Sequence, residues 1–384
     1  MNRIQDLLAR RGVKSIISSL LSIVIGLFIG LLLLFGFNAP YAVGGFFKIL
    51  NTGFSGAYNF SKVLYQAAPL ILTGLSVGFA FKTGLFNIGA SGQYTMGAFF
   101  ALVAAIQFQM PWYVAVLAAM VGGAAWGLFP GLFKALFNVN EVITSIMFNW
   151  ISLFLVNLLL ANMPVMLASY WGGANPDRTV SVATANSGAL IPTLGLDKLL
   201  HSDYMNISIF LAIAVAVICY VILNKTTFGY ELKACGYNRN ASVYAGINAK
   251  RNIVLSMVIA GALAGLGGAI SYLNGPVQYV IKKEILMMGF NGIPVALLAA
   301  ANPIGIIFSG FFISYIQIGG NALQPEFSSE IINIIIAAII YLSAVSLLIQ
   351  ELIARIIRRK KEEAAGEERK DGVPNESSEG VAKQ

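Results

Sequence analysis

The sequence predicts an all-α polytopic membrane protein, and three observations support this fold class. Hydrophobic residues make up 57% of the 384-residue chain and charged residues only 11%, with a mean hydropathy of +0.76; a soluble domain carries roughly 25% charged residues. The apolar residues fall into separate runs, several of them near the roughly 20 residues that cross a bilayer as a helix. The basic residues gather outside these runs, as expected for segments that flank membrane spans.

About ten transmembrane helices are predicted from the apolar runs. The first run is too long for the apolar core of a cleaved signal peptide, so we expect it to be a retained span. The second, eighth and ninth runs are short or interrupted by proline and glycine, which predicts some broken helices. The ten spans are placed at residues 16–37, 66–81, 88–108, 113–137, 142–161, 206–223, 252–273, 287–301, 304–319 and 331–353.

The distribution of charge predicts an orientation and three regions. Four basic residues lie within 1–15 and eight within 354–384, whereas the long polar connection 162–204 contains two. Because basic residues mark the cytoplasmic side of membrane spans, we expect both termini in the cytoplasm and 162–204 outside. The regions are a cytoplasmic basic N-terminus (1–15), a transmembrane domain (16–353) and a cytoplasmic tail (354–384) that its composition predicts to be disordered.

A polar, basic island, residues 224–251, separates two long apolar runs and is predicted to be cytoplasmic. Its pattern favours short helices with defined ends over a flexible linker. Asn240 is positioned to cap a short helix over 241–245, and Gly246 is positioned to end it in a left-handed conformation. A compact helical projection of this kind is a surface suited to a soluble partner.

Two polar interruptions within the apolar sequence are candidates for the path of a polar solute. The first, 81–93, reads FKTGLFNIGASGQ and contains Asn87 and Gln93. It is either unwound backbone that lines a water-filled path or a cytoplasmic turn between two spans. The second, 288–292, reads MGFNG and contains Asn291; because both contain Phe-Asn beside glycine, they suggest a two-repeat organisation with the path at the repeat interface.

A third polar cluster, NVNEVITSIMFNW over 138–150, surrounds the start of a span. Asn140 is predicted to cap the helix and Glu141, which has no evident charged neighbour in the sequence, to complement the helix dipole. Asn149 is expected to face the bundle and is a further pathway candidate. Recurrent small residues in 122–127 and 261–268 predict close helix packing.

The outside connection 162–204 has two open interpretations. It contains Trp171, a glycine-rich turn sequence and the chain's only histidine, His201. It is either a docking surface for an external ligand-delivery protein or an ordinary polar loop. A lone histidine in a loop is expected to be an exposed residue and not a ligand or catalytic base.

Several chemistries are excluded by the sequence. It contains no G-x-x-x-x-G-K-[ST] phosphate loop and no H-E-x-x-H. Intramembrane carboxylates, which ion-coupled carriers commonly use, are nearly missing. The net charge of +8 reflects basic tails and the island, which indicates membrane topology instead of nucleic-acid binding. Cys219 and Cys235 lie in or beside a span and on the cytoplasmic side, so no disulfide is expected.

The motifs together resemble the permease subunits of bacterial ABC importers for nucleosides and simple sugars, a branch that also includes ribose and branched-chain amino acid permeases. The resemblance rests on FNIGASGQ, NEVITSIM, GFNGIPVALLAAANPIG and the island's TTFGYELKACGYNRNASVYAGI. Ser91, where the nucleoside subgroup has Glu, and the alanine run 299–301 depart from the family's pattern. The resemblance implies that the island is a coupling loop whose ATPase-contacting residues are Gly229, Glu231, Lys233, Ala234, Gly236, Arg239 and Gly246.

The resemblance further implies a non-enzymatic subunit of the bacterial plasma membrane, without a cofactor of its own. ATP is expected on a separate ATPase subunit, and solute is expected to arrive on an external lipoprotein at a permease pair, identical or paralogous. A nucleoside is the first expectation for the solute and a simple sugar the alternative. From other classes, an ion-coupled carrier acting without an ATPase and a membrane scaffold remain open.

Overall fold

The computed structural model describes residues 11–275, 277–344 and Arg355, and confirms the all-α fold class. Regular structure in this part of the chain is helical, apart from isolated β-bridges. The α-helices are α1 (Arg11–Thr52), α2 (Ala57–Phe81), α3 (Ala90–Leu102), α4 (Trp112–Phe137), α5 (Glu141–Ala161), α6 (Val182–Ala185), α7 (Leu196–Leu200), α8 (Ser208–Lys225), α9 (Thr227–Tyr237), α10 (Arg239–Tyr244), α11 (Ala249–Tyr272), α12 (Met287–Leu298), α13 (Pro303–Asn321) and α14 (Ser329–Ala344).

Each of the ten predicted spans coincides with a helix. Seven helices are long and apolar enough to cross a bilayer: α1 from Val24 onward, α2, α4, α5, α8, α11 and α13. The other three predicted spans lie on shorter helices, namely α3, which a π-helical turn extends to Gln107, α12 and α14. The end of the last predicted span, most of 1–15 and all of the predicted tail except Arg355 lie outside the described residues.

The first helix is longer than the sequence predicted. α1 continues past residue 37 to Thr52, through a kink at Asn38, whose backbone is not helical (φ −155°, ψ 81°). Pro40 follows directly, and a proline removes a helical hydrogen bond and clashes with the preceding turn. The predicted boundary therefore marks a real break, but the chain resumes as a helix instead of leaving the bundle.

Close packing by glycine organises the centre of the bundle. α11 packs against α2, α3 and α4. Across the α4–α11 contact, a Cβ added to Gly123 would overlap the carbonyl oxygen of Gly261, and one added to Gly127 would overlap that of Met257. The predicted packing role of the two small-residue stretches is confirmed, because only glycine lets the backbones approach this closely.

The connection between α5 and α8 covers one end of the bundle. It pairs in short β-bridges with itself and with the segment after α11, at Leu167–Thr179 and Arg178–Val280. The Asn186 side chain bonds the carbonyl oxygens of Ala105 and Met110. His201 is exposed, as predicted, in a left-handed conformation (φ 49°). The end of α2, the α4–α5 turn and the predicted island lie together at the opposite end.

Candidate functional site

Residues 226–248 form a two-helix knob that projects between α8 and α11. Two side chains cap its helices: Thr226 Oγ1 accepts from Gly229 N at 3.1 Å and Asn238 Oδ1 accepts from Ala241 N at 3.0 Å. Asn248 Oδ1, which accepts from Arg251 N at 3.1 Å, caps the start of α11 that follows the knob. The predicted cap at Asn240 is wrong, because α10 begins two residues earlier than expected and Asn238 takes that role. Gly246 adopts the predicted left-handed conformation (φ 81°).

The predicted charged coupling residues bond to the chain's own bundle. Glu231 Oε2 accepts from Asn252 Nδ2 of α11 at 3.0 Å. Lys233 Nζ lies 3.3 Å from Asn224 Oδ1 of α8. Arg239 Nη1 lies 3.3 Å from Asn138 Oδ1 in the α4–α5 turn. These bonds anchor the knob on three sides.

Two of the predicted coupling glycines lie where the knob packs closely against the bundle. A Cβ on Gly229 would overlap the carbonyl oxygen of Ile222 near the end of α8. A Cβ on Gly236 would lie 2.5 Å from the carbonyl oxygen of Lys82 and 3.0 Å from Gly84 N. Both glycines therefore permit close approach of the chain's own backbone.

A groove of about 630 Å³ runs between α9 and α10, with half-buried Ala234 on its wall. Tyr230 and Tyr237 line it and are 70% and 91% exposed; Tyr244, on the same knob, is 93% exposed. Sequence reasoning missed these tyrosines, although their seven-residue spacing in a polar island was a usable signal. Largely exposed aromatic side chains are the residue type that most often anchors protein interfaces.

The knob's seat leads directly into a buried polar turn between α2 and α3. Asn87 and Gln93 form a reciprocal amide pair: Asn87 Nδ2 donates to Gln93 Oε1 at 2.8 Å, and Gln93 Nε2 donates to Asn87 Oδ1 at 3.1 Å. Asn87 Nδ2 also lies 2.9 Å from Ser76 Oγ. Both amides are fully buried. The first interruption is therefore a packed turn whose polar groups satisfy one another.

The other two pathway candidates differ in their surroundings. Asn149 is buried; its Oδ1 accepts from Gly92 N at 2.8 Å and its Nδ2 donates to the carbonyl oxygen of Ile88 at 3.1 Å. Asn291 is half-buried, and its side chain makes no hydrogen bond within the described part of the chain. Among the four candidates, Asn291 is the one whose amide has no hydrogen-bond partner in the described part of the chain, so its full hydrogen-bonding capacity is left for a solute.

The second predicted interruption, 288–292, is helical and forms the start of α12. Its glycines pack instead of unwinding the backbone: a Cβ on Gly289 would overlap Ser91, and one on Gly292 would lie 2.5 Å from the carbonyl carbon of Thr73. The two interruptions thus meet in space, but only the first is a break.

Two charged groups near the knob have defined partners. Glu141 was expected to lack a charged neighbour, but its Oε2 lies 2.9 Å from Lys134 Nζ at the end of α4; the predicted Asn140 cap is confirmed by a 2.8 Å bond from Val142 N. Lys82 Nζ lies 3.4 Å from the carbonyl oxygen of Ala300. Burial, with a smaller contribution from nearby Lys233, lowers the pKa of Lys82.

The opposite end of the bundle carries a cleft of about 590 Å³, lined by Trp112, Asp197, Asp203 and Asn274, among others. Asn274 is buried, and neither polar atom of its amide has a partner in the described structure. Cys219 and Cys235 are buried free thiols, in agreement with the expectation that they form no disulfide. Within the described residues, no cluster of three or more His, Cys, Asp or Glu side chains is arranged to hold a metal ion.

Residues 59–344 match the family described as branched-chain amino acid transport system / permease component. Two similar curated proteins cover most of the chain. The nucleoside ABC transporter permease protein NupB of Lactococcus lactis is 35% identical over 91% of this chain and 96% of its own length. The guanosine ABC transporter permease protein NupP of Bacillus subtilis is 34% identical over 88% of this chain and 96% of its own length.

A more distant relative is named for a different solute. The glucose ABC transporter permease protein TsgB13 of Haloferax volcanii is 30% identical over 74% of this chain and 75% of its own length. No solved structure matches the chain.

Proposed function

Because the chain belongs to the family of branched-chain amino acid transport permease components, we propose that it is the transmembrane subunit of an ATP-driven importer for a nucleoside. The solute is inferred from the names of the two relatives that cover about nine-tenths of the chain, a nucleoside and a guanosine permease. A simple sugar is the alternative within the same fold, since a glucose permease is also related.

The observation that carries the proposal is the knob. Its groove and its exposed tyrosines are available to a soluble partner, while its charged side chains hold it to α8, α11 and the α4–α5 turn. We infer that the partner is the ATPase subunit. Tyr237 and Tyr244 would be the main anchors, because large aromatic side chains supply much of the binding energy of interfaces.

This arrangement suggests how ATP hydrolysis on the partner would move the solute. The permease performs no bond chemistry; its sequence has no phosphate loop, and ATP would bind the partner. A partner that pulls or pushes the knob would move it as a rigid body with the residues that anchor it. Gly236 packs against the backbone of residues 82–84, so a displacement of the knob would also move the turn before α3. That movement would favour one of two arrangements of the helix bundle over the other.

The rest of the proposed assembly follows from this orientation. The knob and both termini would lie in the cytoplasm of a bacterial cell, with the chain in the plasma membrane. An external lipoprotein would deliver the solute to the other end, near the 162–204 connection. A second permease, identical or paralogous, would complete the pathway between the two chains.

The test removes the two proposed anchors together, as Tyr237→Ala with Tyr244→Ala. Both side chains are over 90% exposed, so the double variant should keep its membrane abundance. We expect loss of ATPase co-purification and of radiolabelled guanosine uptake. Tyr170→Ala is the matched control, since this tyrosine is 63% exposed at the opposite end and its removal should leave co-purification of the ATPase intact.

Two results would contradict the proposal. Normal co-purification and uptake in the double variant would show that the knob is not the docking surface. Uptake by the purified chain alone in liposomes, driven by a proton or sodium gradient, would show an ion-coupled carrier. Competition of guanosine uptake by excess unlabelled uridine or glucose separates the nucleoside from the sugar alternative.

A further inference from the structure

The segment between α11 and α12 enters the bundle as non-helical chain. Tyr279 and Ile281 pair with the α5–α8 connection, through Thr179 N to Tyr279 O at 2.9 Å and Ile281 N to Asp177 O at 2.7 Å. Further on, Lys282 O accepts from Asn157 Nδ2 at 2.7 Å, and Leu286 O accepts from Ser91 Oγ at 2.5 Å. The segment therefore runs from the outer connection inward to the start of α3.

The depth of this segment can be read from α5, which lies beside it. The 21 residues of α5 span about 31 Å at about 1.5 Å per residue, which matches the roughly 30 Å hydrocarbon thickness of a bilayer. Asn157 marks the level of Lys282. Asn149, bonded to Gly92 N beside Ser91, marks the level of Leu286.

The two levels are eight residues of α5 apart, which is about 12 Å along its axis. The chain bends at Lys283 and Glu284, so residues 282–286 connect the two levels beside α5 as irregular, non-helical chain. Lys283 and Glu284 fall between the two levels, within the hydrocarbon thickness that α5 is long and apolar enough to cross.

Three adjacent charges occupy this depth. Lys282, Lys283 and Glu284 are all exposed, and none of their side chains has a hydrogen bond or ion pair elsewhere in the described structure. A charged side chain near the bilayer centre is costly, and such residues almost always face a water-filled cavity or the interior of the bundle. Irregular backbone does not face lipid at this depth, but it is tolerated where it lines a water-filled cavity.

We propose that residues 282–284 line the water-filled route of the transported solute. This inference rests on the proposed transport function and adds to it the wall of the pathway. The solute class that suits this wall is a polar molecule rich in hydroxyl and amide groups, which would exchange hydrogen bonds with water and with these charged side chains. Asn291, on the helix that continues the segment, would belong to the same wall.

The test is the accessibility of a single cysteine to a membrane-impermeant, cationic thiosulfonate. Lys283→Cys is introduced into the full chain with Cys219 and Cys235, both buried, replaced by alanine, and is labelled in intact membranes of the native host. Val217→Cys is the matched control: Val217 lies near the middle of α8, is 45% exposed and has apolar neighbours in the sequence.

We expect Lys283→Cys to react at least about tenfold faster than Val217→Cys, because only the former would face water. Equal labelling of both after denaturation in detergent shows that each thiol is intact. Labelling of Lys283→Cys as slow as that of Val217→Cys would overturn the inference and place the charges in a closed interface.

Uptake measured on membranes that carry the Val217→Cys control distinguishes the two proposals. Fast labelling of Lys283→Cys with no uptake of guanosine by the control protein would leave the aqueous wall in place and reject the solute assignment. Slow labelling with normal guanosine uptake would reject the wall and leave the proposed function.

Discussion

Gly236 of the knob and Gly84 of the α2–α3 turn are in backbone contact: a Cβ on Gly84 would lie 3.2 Å from Gly236 Cα. Gly84 also needs its positive φ of 73°, which L-residues with side chains rarely adopt. This contact joins the surface proposed to receive the ATPase to the turn that carries Asn87. A motion of the knob cannot leave that turn unaffected unless the contact opens.

Replacing Gly236 by alanine should therefore damage the chain itself and not only its docking. The added methyl group would lie 2.5 Å from Lys82 O, and overpacking of this kind costs about 1–3 kcal/mol. We expect a lower thermal midpoint and lower membrane abundance of the variant, measured on the purified chain and on membranes. Gly44→Ala is the control, because its Cβ would meet nothing within 4 Å. An unchanged midpoint for Gly236→Ala would show that the contact is loose.

The sequence predicted the spans, the Asn140 cap and the end of the knob at Gly246, because these depend on local composition and backbone preference. The predicted second interruption at 288–292 is wrong, because that stretch is helical. A glycine that breaks a helix and a glycine that lets a neighbouring helix approach look alike in sequence. Gly289 and Gly292 are of the second kind, which only the position of α2 and α3 reveals. The partner of Glu231 was hidden because Asn252 lies 21 residues further along the chain, on another helix. Asn87 bonds to nearby Gln93 and Ser76, but their sequence spacing does not show that the three side chains meet.

The amide pair and Asn291 should respond differently to truncation. Asn87→Ala leaves the buried Gln93 amide without its partner, which costs about 1–3 kcal/mol, so abundance and thermal midpoint should fall while the KM of the remaining protein stays constant. Asn291→Ala removes a half-buried, unpaired amide. Its abundance should be normal and its KM for guanosine should rise about two- to tenfold, the value of one hydrogen bond.

Uptake kinetics normalised to membrane abundance separate these outcomes. A raised KM in Asn87→Ala with normal abundance would show that Asn87 contacts solute after all. Unchanged kinetics in Asn291→Ala would remove it from the pathway.

The α4–α11 contact should tolerate no side chain. In Gly261→Ala, the new methyl group would overlap Gly123 O, so the two helices must separate along the whole glycine stretch. We expect a loss of about 1–3 kcal/mol in stability, seen as a lower thermal midpoint of the purified chain. Gly36→Ala in α1, where a Cβ meets nothing within 4 Å, is the control and should be neutral or slightly stabilising, since alanine favours helix over glycine. A neutral result for Gly261→Ala would mean that α4 and α11 can move apart at little cost.

The turn between α12 and α13 should become more stable when it receives glycine. Ala300 and Ala301 both have left-handed backbones, with φ of 49° and 53°. This conformation costs an L-residue roughly 1–2 kcal/mol, whereas glycine adopts positive and negative φ about equally readily. Ala300→Gly should therefore raise the thermal midpoint, by an amount corresponding to about 1 kcal/mol after the entropy that glycine loses on folding is subtracted. Ala299→Gly is the matched control, because Ala299 has φ −84° and glycine there brings no relief of strain. Its midpoint should fall or stay constant. If Ala300→Gly lowered the midpoint as Ala299→Gly does, the left-handed conformation would carry no strain, and the turn beside Lys82 would have a different backbone from the one described.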